Sequence, residues 1–235
     1  MMFSIQQIIA LAFFLLKATL VVAGTNEAGL AFLAENKGKS GVISLPSGLQ
    51  YKVLKKGKGL DHPTENSPCS CHYEGTLING EVFDSSYARG DPTSFAPAQV
   101  IRGWTEAMQM MVVGDKWELY IPSDLAYGDR GSPPKIGGGE VLIFKMEILA
   151  IMGDVVPALQ CQIDSKERCN EMEQGYITKV QGWYDSGETT KASEQLARVQ
   201  KILGSPMKDN LRQWARRRVH ILEQFVEKET TEGEL

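Results

Sequence analysis

Apolar and polar residues alternate along most of residues 48–149, with the period of two that is typical of strands buried on one face. The apolar members of this alternation are Leu49, Tyr51 and Val53; Cys69, Cys71 and Tyr73; Trp117, Leu119 and Ile121; and Leu142, Phe144, Met146 and Ile148. One stretch differs, because its apolar residues recur at helical spacing and predict a helix over residues 100–111. Those residues are Val100, Ile101, Trp104, Met108 and Met111. An apolar sheet face needs a cover, so we predict an α+β domain with this helix on the sheet.

The pattern changes after Gly153, where the strand signals end and three amphipathic helical stretches follow. Their apolar residues are Met172, Tyr176, Ile177, Val180 and Trp183; Leu196, Val199, Ile202 and Leu203; and Leu211, Trp214, Ala215, Val219, Leu222, Phe225 and Val226. We therefore predict a strand-rich domain over residues 45–152, an all-helical domain over 153–228 and a charged tail over 229–235. The basic run at residues 216–218 is interpreted as a solvated helix face.

The amino-terminal residues 1–23 have the pattern of a secretory signal peptide. Residues 8–22 are apolar except for Lys17 and Thr19, and small residues at 21–24 suit cleavage. An uncleaved anchor is the alternative, because no Lys or Arg precedes the apolar stretch. Residues 24–44 are expected to be a linker containing a short helix over residues 25–37. Thr25 or Asn26 would cap that helix, and Leu30, Leu33 and Ala34 would line one face.

The net charge and the cysteine and histidine content bear on nucleic-acid binding, disulfide formation and metal binding. The formal net charge of −4 gives no basic field for nucleic acid. Cys69 and Cys71 would share one strand face and do not easily bridge each other, whereas Cys161 and Cys169 could pair if the chain enters an oxidising compartment. Only three histidines occur and none has zinc-ligand spacing, so we expect no zinc site. No other metal and no cofactor are expected.

Several short motifs occur in a fixed order within the strand-rich domain. They are YEGT at residues 73–76, GEVFDSS at 80–86, VIRGW at 100–104, AYG at 126–128 and LIF at 142–144. Together they resemble the signature of FK506-binding-type peptidyl-prolyl cis/trans isomerases. LPSGLQY at 45–51 and WELYIP at 117–122 resemble the subgroup related to macrophage infectivity potentiator. The resemblance covers about residues 30–150.

This resemblance implies a twisted antiparallel half-barrel sheet wrapped on one short helix, with an apolar cup between them as the active site. The catalytic residues implied are Tyr73, Phe83, Asp84, Trp104, Tyr127 and Phe144, and the substrate-binding residues implied are Phe95, Val100, Ile101 and Ile136. Trp104 would be the floor and the other aromatic rings the walls. The Tyr127 hydroxyl and the Ile101 N–H would hold substrate carbonyls, and Asp84 would orient Tyr73 or bind polar ligand atoms.

The sequence departs from the family in the loop over residues 129–139, which would overhang the cup. Ser132 and Lys135 stand where many relatives have His and Ile, and Ile136 keeps an apolar lip. Lys135 is expected to favour acidic residues near the substrate proline. The subgroup's long dimerising helix is not expected, because too little chain precedes Leu45.

The helical domain resembles the carboxy-terminal domain of endoplasmic-reticulum protein-disulfide-isomerase relatives, which implies chaperone-type binding. This resemblance rests on YI at 176–177, the run from SEQL at 193–196 to IL at 202–203, and RVHILEQF at 218–225. EGEL at 232–235 resembles a retention tetrapeptide except for Gly233. We therefore expect the endoplasmic-reticulum lumen as the location, with secretion as the alternative.

The resulting expectation is an isomerase that assists the folding of secretory-pathway proteins and acts on proline-containing polypeptide clients. Macrolide ligands and lumenal chaperones are further expected partners, and no membrane contact is expected after signal cleavage. One alternative is a module that binds proline segments without catalysis. Another is that the helical domain serves only stability or localisation.

Overall fold

The computed structural model describes residues 24–232, and the strands within that range form one large antiparallel sheet and one small one. The strands are β1 (Val42–Ser44), β2 (Gln50–Lys55), β3 (Asp61–Pro63), β4 (Cys69–Leu77), β5 (Val82–Ser85), β6 (Thr93–Phe95), β7 (Lys116–Ile121), β8 (Leu142–Ile151) and β9 (Val155–Pro157). The large sheet has the order β1-β2-β7-β8-β4-β5, with β6 paired to β4 as well. The small sheet is β3 with β9. The predicted signal peptide and the last three residues of the predicted retention tetrapeptide lie outside the described residues.

The predicted alternation places one face of the large sheet in the core. In the central pair, Trp117 lies opposite Met146, Leu119 opposite Phe144 and Ile121 opposite Leu142. All six side chains are buried, as are Cys69, Cys71 and Tyr73 on β4. Because the side chains of a strand alternate between faces, these residues form a continuous apolar surface. The predicted α+β fold class is confirmed.

The helix on this surface is shorter than predicted. Helix α3 spans Arg102–Met108, after helices α1 (Glu27–Asn36) and α2 (Ser86–Arg89). Val100 is extended and Ile101 is the N-cap of α3. The preceding turn of 3-10 helix at Pro97–Gln99 ends at Val100, so α3 cannot begin before Arg102. Gly103 permits a close approach to β7, since a Cβ there would lie 2.5 Å from Ile121 Cγ2. Trp104 is therefore held against the sheet.

Helix α1 has the predicted position and cap, but the predicted face was wrong. Asn26 caps it by accepting a hydrogen bond from the Gly29 N–H at 2.8 Å. Leu30 and Ala34 are exposed, whereas Gly29 and Asn36 are buried. Hydrogen bonds to β2 set the docked face: the Asn36 amide donates to Gln50 Oε1 at 3.0 Å, and the Gln50 amide donates to the Leu33 carbonyl at 2.9 Å.

Three helices follow the sheet, as the sequence predicts, and enclose a second hydrophobic cluster. They are α4 (Glu171–Asp185), α5 (Thr190–Leu203) and α6 (Asp209–Glu232). A disulfide joins Cys161 to Cys169, the pairing that the sequence allows, and Cys69 and Cys71 are free and buried. No strand is predicted after Gly153, so β9 is a correction. It forms because its backbone pairs with the distant β3.

Among the helices of residues 24–232, none has the length and apolar character needed to span a bilayer.

Arg217 contradicts the interpretation of residues 216–218 as a solvated helix face. Its side chain is only 9% exposed, and its guanidinium donates to Glu173 Oε1 at 2.9 Å and to Asp61 Oδ1 at 2.5 Å. It also donates to the Leu60 carbonyl at 3.1 Å. Arg216 remains exposed. Because Asp61 lies on β3 and Glu173 on α4, this buried ion-pair network joins the helical domain to the sheet region.

Candidate active site

Three aromatic side chains surround the Trp104 indole between α3 and the sheet, and a fourth adjoins one of them. The centroid of its ring lies 4.8 Å from that of Phe144, 5.0 Å from that of Tyr73 and 5.1 Å from that of Phe95. Phe83 extends the group, 5.3 Å from Phe144. The rings of Phe144 and Tyr73 meet the indole edge to face, an arrangement favoured by aromatic quadrupoles. The indole is 5% exposed, so it forms a nearly dry floor.

A cavity of about 690 Å³ adjoins these rings. It is lined by every predicted site residue, together with Thr93, Gln99 and the rim segment 132–135. The predicted residues are Tyr73, Phe83, Asp84, Phe95, Val100, Ile101, Trp104, Tyr127, Ile136 and Phe144. We call this cavity the aromatic cup. Its volume lies within the range of pockets that hold small ligands, and its apolar lining with few polar groups is typical of them.

The YEGT motif explains how two of the walls come together. A Cβ on Gly75 would lie 2.6 Å from ring atoms of both Phe83 and Phe144. Gly75 is on β4, which pairs with β5 on one side and β8 on the other, so the rings of those two strands meet across it. Any larger residue at this position would push the two rings apart. The glycine is therefore required by packing, although it contributes no side chain to the cup.

One edge of the cup is polar and includes a residue that the sequence analysis missed. The Tyr73 hydroxyl donates to Asp84 Oδ2 at 2.6 Å, the contact expected if Asp84 orients Tyr73. Arg89 donates to the Tyr73 hydroxyl at 2.8 Å and forms an ion pair with Asp84. Arg89 lies at the end of α2, five residues after Asp84. Arg89 follows the GEVFDSS motif closely in the sequence, and this was the available signal for a role at the cup. The sequence does not show that α2 directs the Arg89 side chain back towards Tyr73 and Asp84.

This network fixes the protonation states at the edge. Burial raises the pKa of Asp84, but hydrogen bonds from Tyr73 and Arg89 outweigh it and hold that pKa below its usual value. Burial and the hydrogen bond to the Asp84 carboxylate raise the pKa of the Tyr73 phenol. At neutral pH Asp84 is therefore a carboxylate and Tyr73 a neutral donor, so this edge presents fixed hydrogen-bonding groups.

The rim of the cup is the loop that follows Tyr127. The Ser132 and Ile136 backbones bond to each other at 2.9 and 3.1 Å around a cis Pro133–Pro134 bond. Ile136 is 5% exposed and faces the cup, while the Lys135 ammonium donates to the Phe83 carbonyl at 2.7 Å. Tyr127 is 42% exposed, so its hydroxyl is accessible to a bound molecule.

The cup can bind an apolar ring on Trp104 while polar groups at its rim contact the flanking backbone. Within residues 24–232 the Ile101 N–H donates no hydrogen bond and the Tyr127 hydroxyl makes none, so both are available as donors to a carbonyl. No group of three or more His, Cys, Asp or Glu in the same range is arranged to hold a metal ion. The geometry provides binding and orientation by neutral donors.

Family comparisons account for most of the sheet region. The sequence matches the model of FKBP-type peptidyl-prolyl cis-trans isomerases over residues 59–149. It also matches the model of the domain amino terminal to such isomerases over residues 15–53. Residues 150–235 lie outside both matches, so neither model describes α4, α5 and α6.

Individual relatives give the same result. The peptidyl-prolyl cis-trans isomerase Mip of Coxiella burnetii is 51% identical over 125 residues, which are 53% of this chain and 54% of that protein. The peptidyl-prolyl cis-trans isomerase FKBP15-1 of Arabidopsis thaliana is 44% identical over 124 residues, 52% of this chain and 79% of that protein. A crystal structure of an isomerase from Pseudomonas syringae pv. tomato aligns with a TM-score of 0.50 and 38% identity, covering 54% of this chain and 92% of that one. The chain thus spans only about half the length of the Coxiella protein.

Proposed function

Because this chain belongs to the FKBP-type peptidyl-prolyl cis-trans isomerase family, we propose that its aromatic cup accelerates rotation about X-Pro bonds in polypeptide clients. The observation that carries the proposal is the convergence of all predicted site residues on one cavity floored by Trp104. A proline ring is apolar, as are the aromatic side chains that line the cup around Trp104. We also propose a secretory location for the whole chain and a client-binding role for its helical domain.

Rotation about the bond requires no nucleophile and no proton transfer. The barrier of about 18–20 kcal/mol comes from amide resonance, which is lost when the bond is twisted. Since charge separation falls with the resonance, a water-poor cup favours the twisted amide over the planar one. In this account Trp104 receives the proline ring, and the Tyr127 hydroxyl and Ile101 N–H hold the flanking carbonyls. Asp84 orients Tyr73 and does not act as a general base.

A cis-to-trans assay on a proline peptide tests the proposal, with Tyr127→Phe as the informative variant. We expect clear acceleration by the native protein and about a fivefold lower kcat/KM for Tyr127→Phe, the effect of losing about 1 kcal/mol from one neutral hydrogen bond. Tyr51→Phe is the matched control, because Tyr51 stacks on Trp117 and lies outside the cup. Binding of the peptide without any acceleration would favour the non-catalytic alternative.

The pH profile follows from the polar edge of the cup. The pKa of Asp84 is lower in the folded protein than in the unfolded chain. The ionised Asp84 therefore orients Tyr73 fully above its unfolded pKa, and this contact is lost only as pH falls through the lower folded pKa. The pKa of Tyr73 is raised, so the phenol stays neutral beyond its usual range near 10. We therefore expect kcat/KM to be constant between about pH 5.5 and 9. A tenfold change per pH unit inside this window would indicate a proton-transfer step and contradict the mechanism.

We assign the protein to the secretory pathway, with the endoplasmic-reticulum lumen as the proposed destination. Support comes from the predicted signal peptide and from the Cys161–Cys169 disulfide, a bond that persists in oxidising compartments. Imaging of an internally tagged chain with its carboxy terminus exposed tests this. If deletion of Leu235 removes the lumenal staining and the protein appears in the medium, the carboxy terminus acts as a retention signal. Equal secretion with and without Leu235 would reject retention.

The helical domain is proposed to hold clients or a lumenal chaperone near the cup, which raises the effective concentration of proline segments. Truncation is a poor test, because it would remove β9 and Arg217 from their partners on the sheet side. Glutamate substitutions at the exposed Ile202 and Leu211 are sharper. We expect them to slow catalysed refolding of a proline-limited protein without changing the rate on a short peptide. Unchanged refolding would leave the domain a role in stability or localisation only.

Two ligand preferences are proposed for the cup. Lys135, whose ammonium lies at the rim, is proposed to favour an acidic residue next to the substrate proline. Macrolides are proposed to occupy the same cup and to compete with peptide substrates. Peptides that differ only in Glu or Lys beside proline test the first idea, and equal kcat/KM values would reject it. Macrolide inhibition that is not competitive with peptide would reject the second.

A further inference from the structure

Gly24, at the start of the described chain, lies against two carboxylates. Its backbone N–H donates to Asp129 Oδ1 at 2.6 Å. A Cβ placed on Gly24 would lie 3.2 Å from Asp124 Oδ1, so a second carboxylate is adjacent. The backbone nitrogen of this residue is therefore bonded to one carboxylate, and a second carboxylate lies beside its Cα.

The same segment contacts both ends of the rim loop of the cup. The Asn26 N–H donates to the Gly139 carbonyl at 2.8 Å, and the Gly139 N–H donates to the Gly128 carbonyl at 2.9 Å. Thr25 Oγ1 accepts from the Ser123 N–H at 2.9 Å, in the turn that contains Asp124. Residues 24–26 thus bridge the start and the end of the loop that carries Ile136 into the cup.

We propose that proteolysis between Ala23 and Gly24 creates an α-ammonium group that pairs with Asp129 and Asp124 and braces the rim loop. The small residues at positions 21–24 form the predicted signal-peptidase site, so the bond to be cut is the one preceding this nitrogen. Hydrolysis by the peptidase consumes one water, leaving a carboxylate on Ala23 and an amine on Gly24 that takes up a proton. The inference rests on signal cleavage and is independent of isomerase activity.

Cleavage changes the chemistry of this nitrogen at the place where the carboxylates already lie. In the uncut chain it is a neutral amide with one N–H, whereas the ammonium has a positive charge and three N–H donors. One donor is needed for Asp129, which leaves two others for Asp124 and for water. Before cleavage only the acceptor of the Gly24–Asp129 bond is ionised; after cleavage the donor is charged as well, and attraction between opposite charges adds to the hydrogen bond. The rim is therefore held more firmly after processing.

The surrounding charges are mostly acidic. The charged residues on the first turn of α1, on residues 122–131 and on residues 139–140 are Glu27, Asp124, Asp129, Arg130 and Glu140. Lys135 lies on the same rim loop, but its ammonium donates to the Phe83 carbonyl at the cup. A positive group among them should keep its proton more strongly than a free amino terminus, whose pKa is about 7.7–8.0. The pairing therefore stabilises the fold fully below that value, and the gain disappears as pH rises through the raised folded value.

Two chains that differ by one residue test the proposal. One begins at Gly24 and the other at Ala23, both released from a cleavable leader and both ending at Leu235. Each has a single terminal amine, but in the longer chain the amine is displaced by one residue from Asp129. We compare thermal unfolding midpoints at low salt at pH 6.5 and pH 10, and amide hydrogen exchange at Gly131, Ile136 and Gly139. Asp129→Asn is made in both chains.

At pH 6.5 we expect the chain beginning at Gly24 to unfold about 2–4 °C higher than the longer chain, the shift that about 1 kcal/mol produces at this size. Loop amides should exchange more slowly in the shorter chain. Both differences should vanish at pH 10 and in the Asp129→Asn pair. Equal midpoints and exchange rates at pH 6.5, a difference that persists at pH 10, or a secreted protein whose amino terminus is not Gly24 would each overturn the proposal.

Discussion

Phe83→Leu is expected to lower kcat/KM for a proline peptide about tenfold, which corresponds to about 1.4 kcal/mol of lost transition-state stabilisation. The ring of Phe83 forms one wall of the cup and packs edge to face on Phe144. Leucine keeps most of the apolar volume but removes the flat aromatic wall that excludes water from the twisted amide. Because the exchange nearly conserves volume, we expect a loss of folding free energy below about 1.5 kcal/mol. The measurement is steady-state isomerisation, with a urea titration alongside it.

Phe32→Leu is the matched control for this variant. Phe32 lies on α1, 6.1 Å from Tyr120, and does not line the cup, so the same chemical change should leave kcat/KM within twofold. Similar activities for Phe83→Leu and the native protein would show that the aromatic wall is dispensable. Equal losses in both variants would attribute the effect to general destabilisation.

Arg217→Ala is expected to lower the free energy of unfolding by about 3–5 kcal/mol, because it leaves the fully buried carboxylate of Glu173 without its cationic partner. Glu173 also accepts from the Asn170 N–H at 2.8 Å, so it is held in place at the start of α4 and cannot easily reach solvent. Loss of the contact to Asp61 would also loosen the attachment of the helical domain to β3. Denaturant unfolding monitored by near-ultraviolet circular dichroism measures both effects.

Arg216→Ala provides the comparison, since Arg216 is exposed on the same helix and its loss should cost less than about 0.5 kcal/mol. Combining Arg217→Ala with Glu173→Gln removes the buried charge that the single variant leaves unpaired. The double variant should recover part of the lost stability. If Arg217→Ala is no more destabilising than Arg216→Ala, the buried network does not join the two parts of the chain.

The sheet was predictable because its signal is local. Alternation along β4, β7 and β8 identifies their buried faces directly, and the order of short motifs identified the residues that meet in the cup. The helix boundary at Arg102 was less accessible. Val100 and Ile101 fit the helical period, yet they are extended because the preceding turn fixes their direction.

Features that depend on distant partners could not be predicted. Asp61 and Arg217 are separated by 156 residues, so an arginine run read in isolation looks like a solvated face. Strand β9 forms through its pairing with β3. Helix α1 buries Asn36 because the Asn36 amide donates a hydrogen bond to Gln50. Arg89 is a nearer case, since only the fold of α2 returns it to Tyr73 and Asp84.

Exchange spectroscopy on a proline peptide with a substoichiometric amount of the protein tests the central claim most directly. Uncatalysed exchange between the cis and trans forms takes tens of seconds or longer. We predict exchange cross-peaks on a subsecond timescale, together with intermolecular contacts between the proline ring protons and the indole of Trp104. Unchanged exchange, or a proline ring that contacts the protein only away from Trp104, would contradict the account.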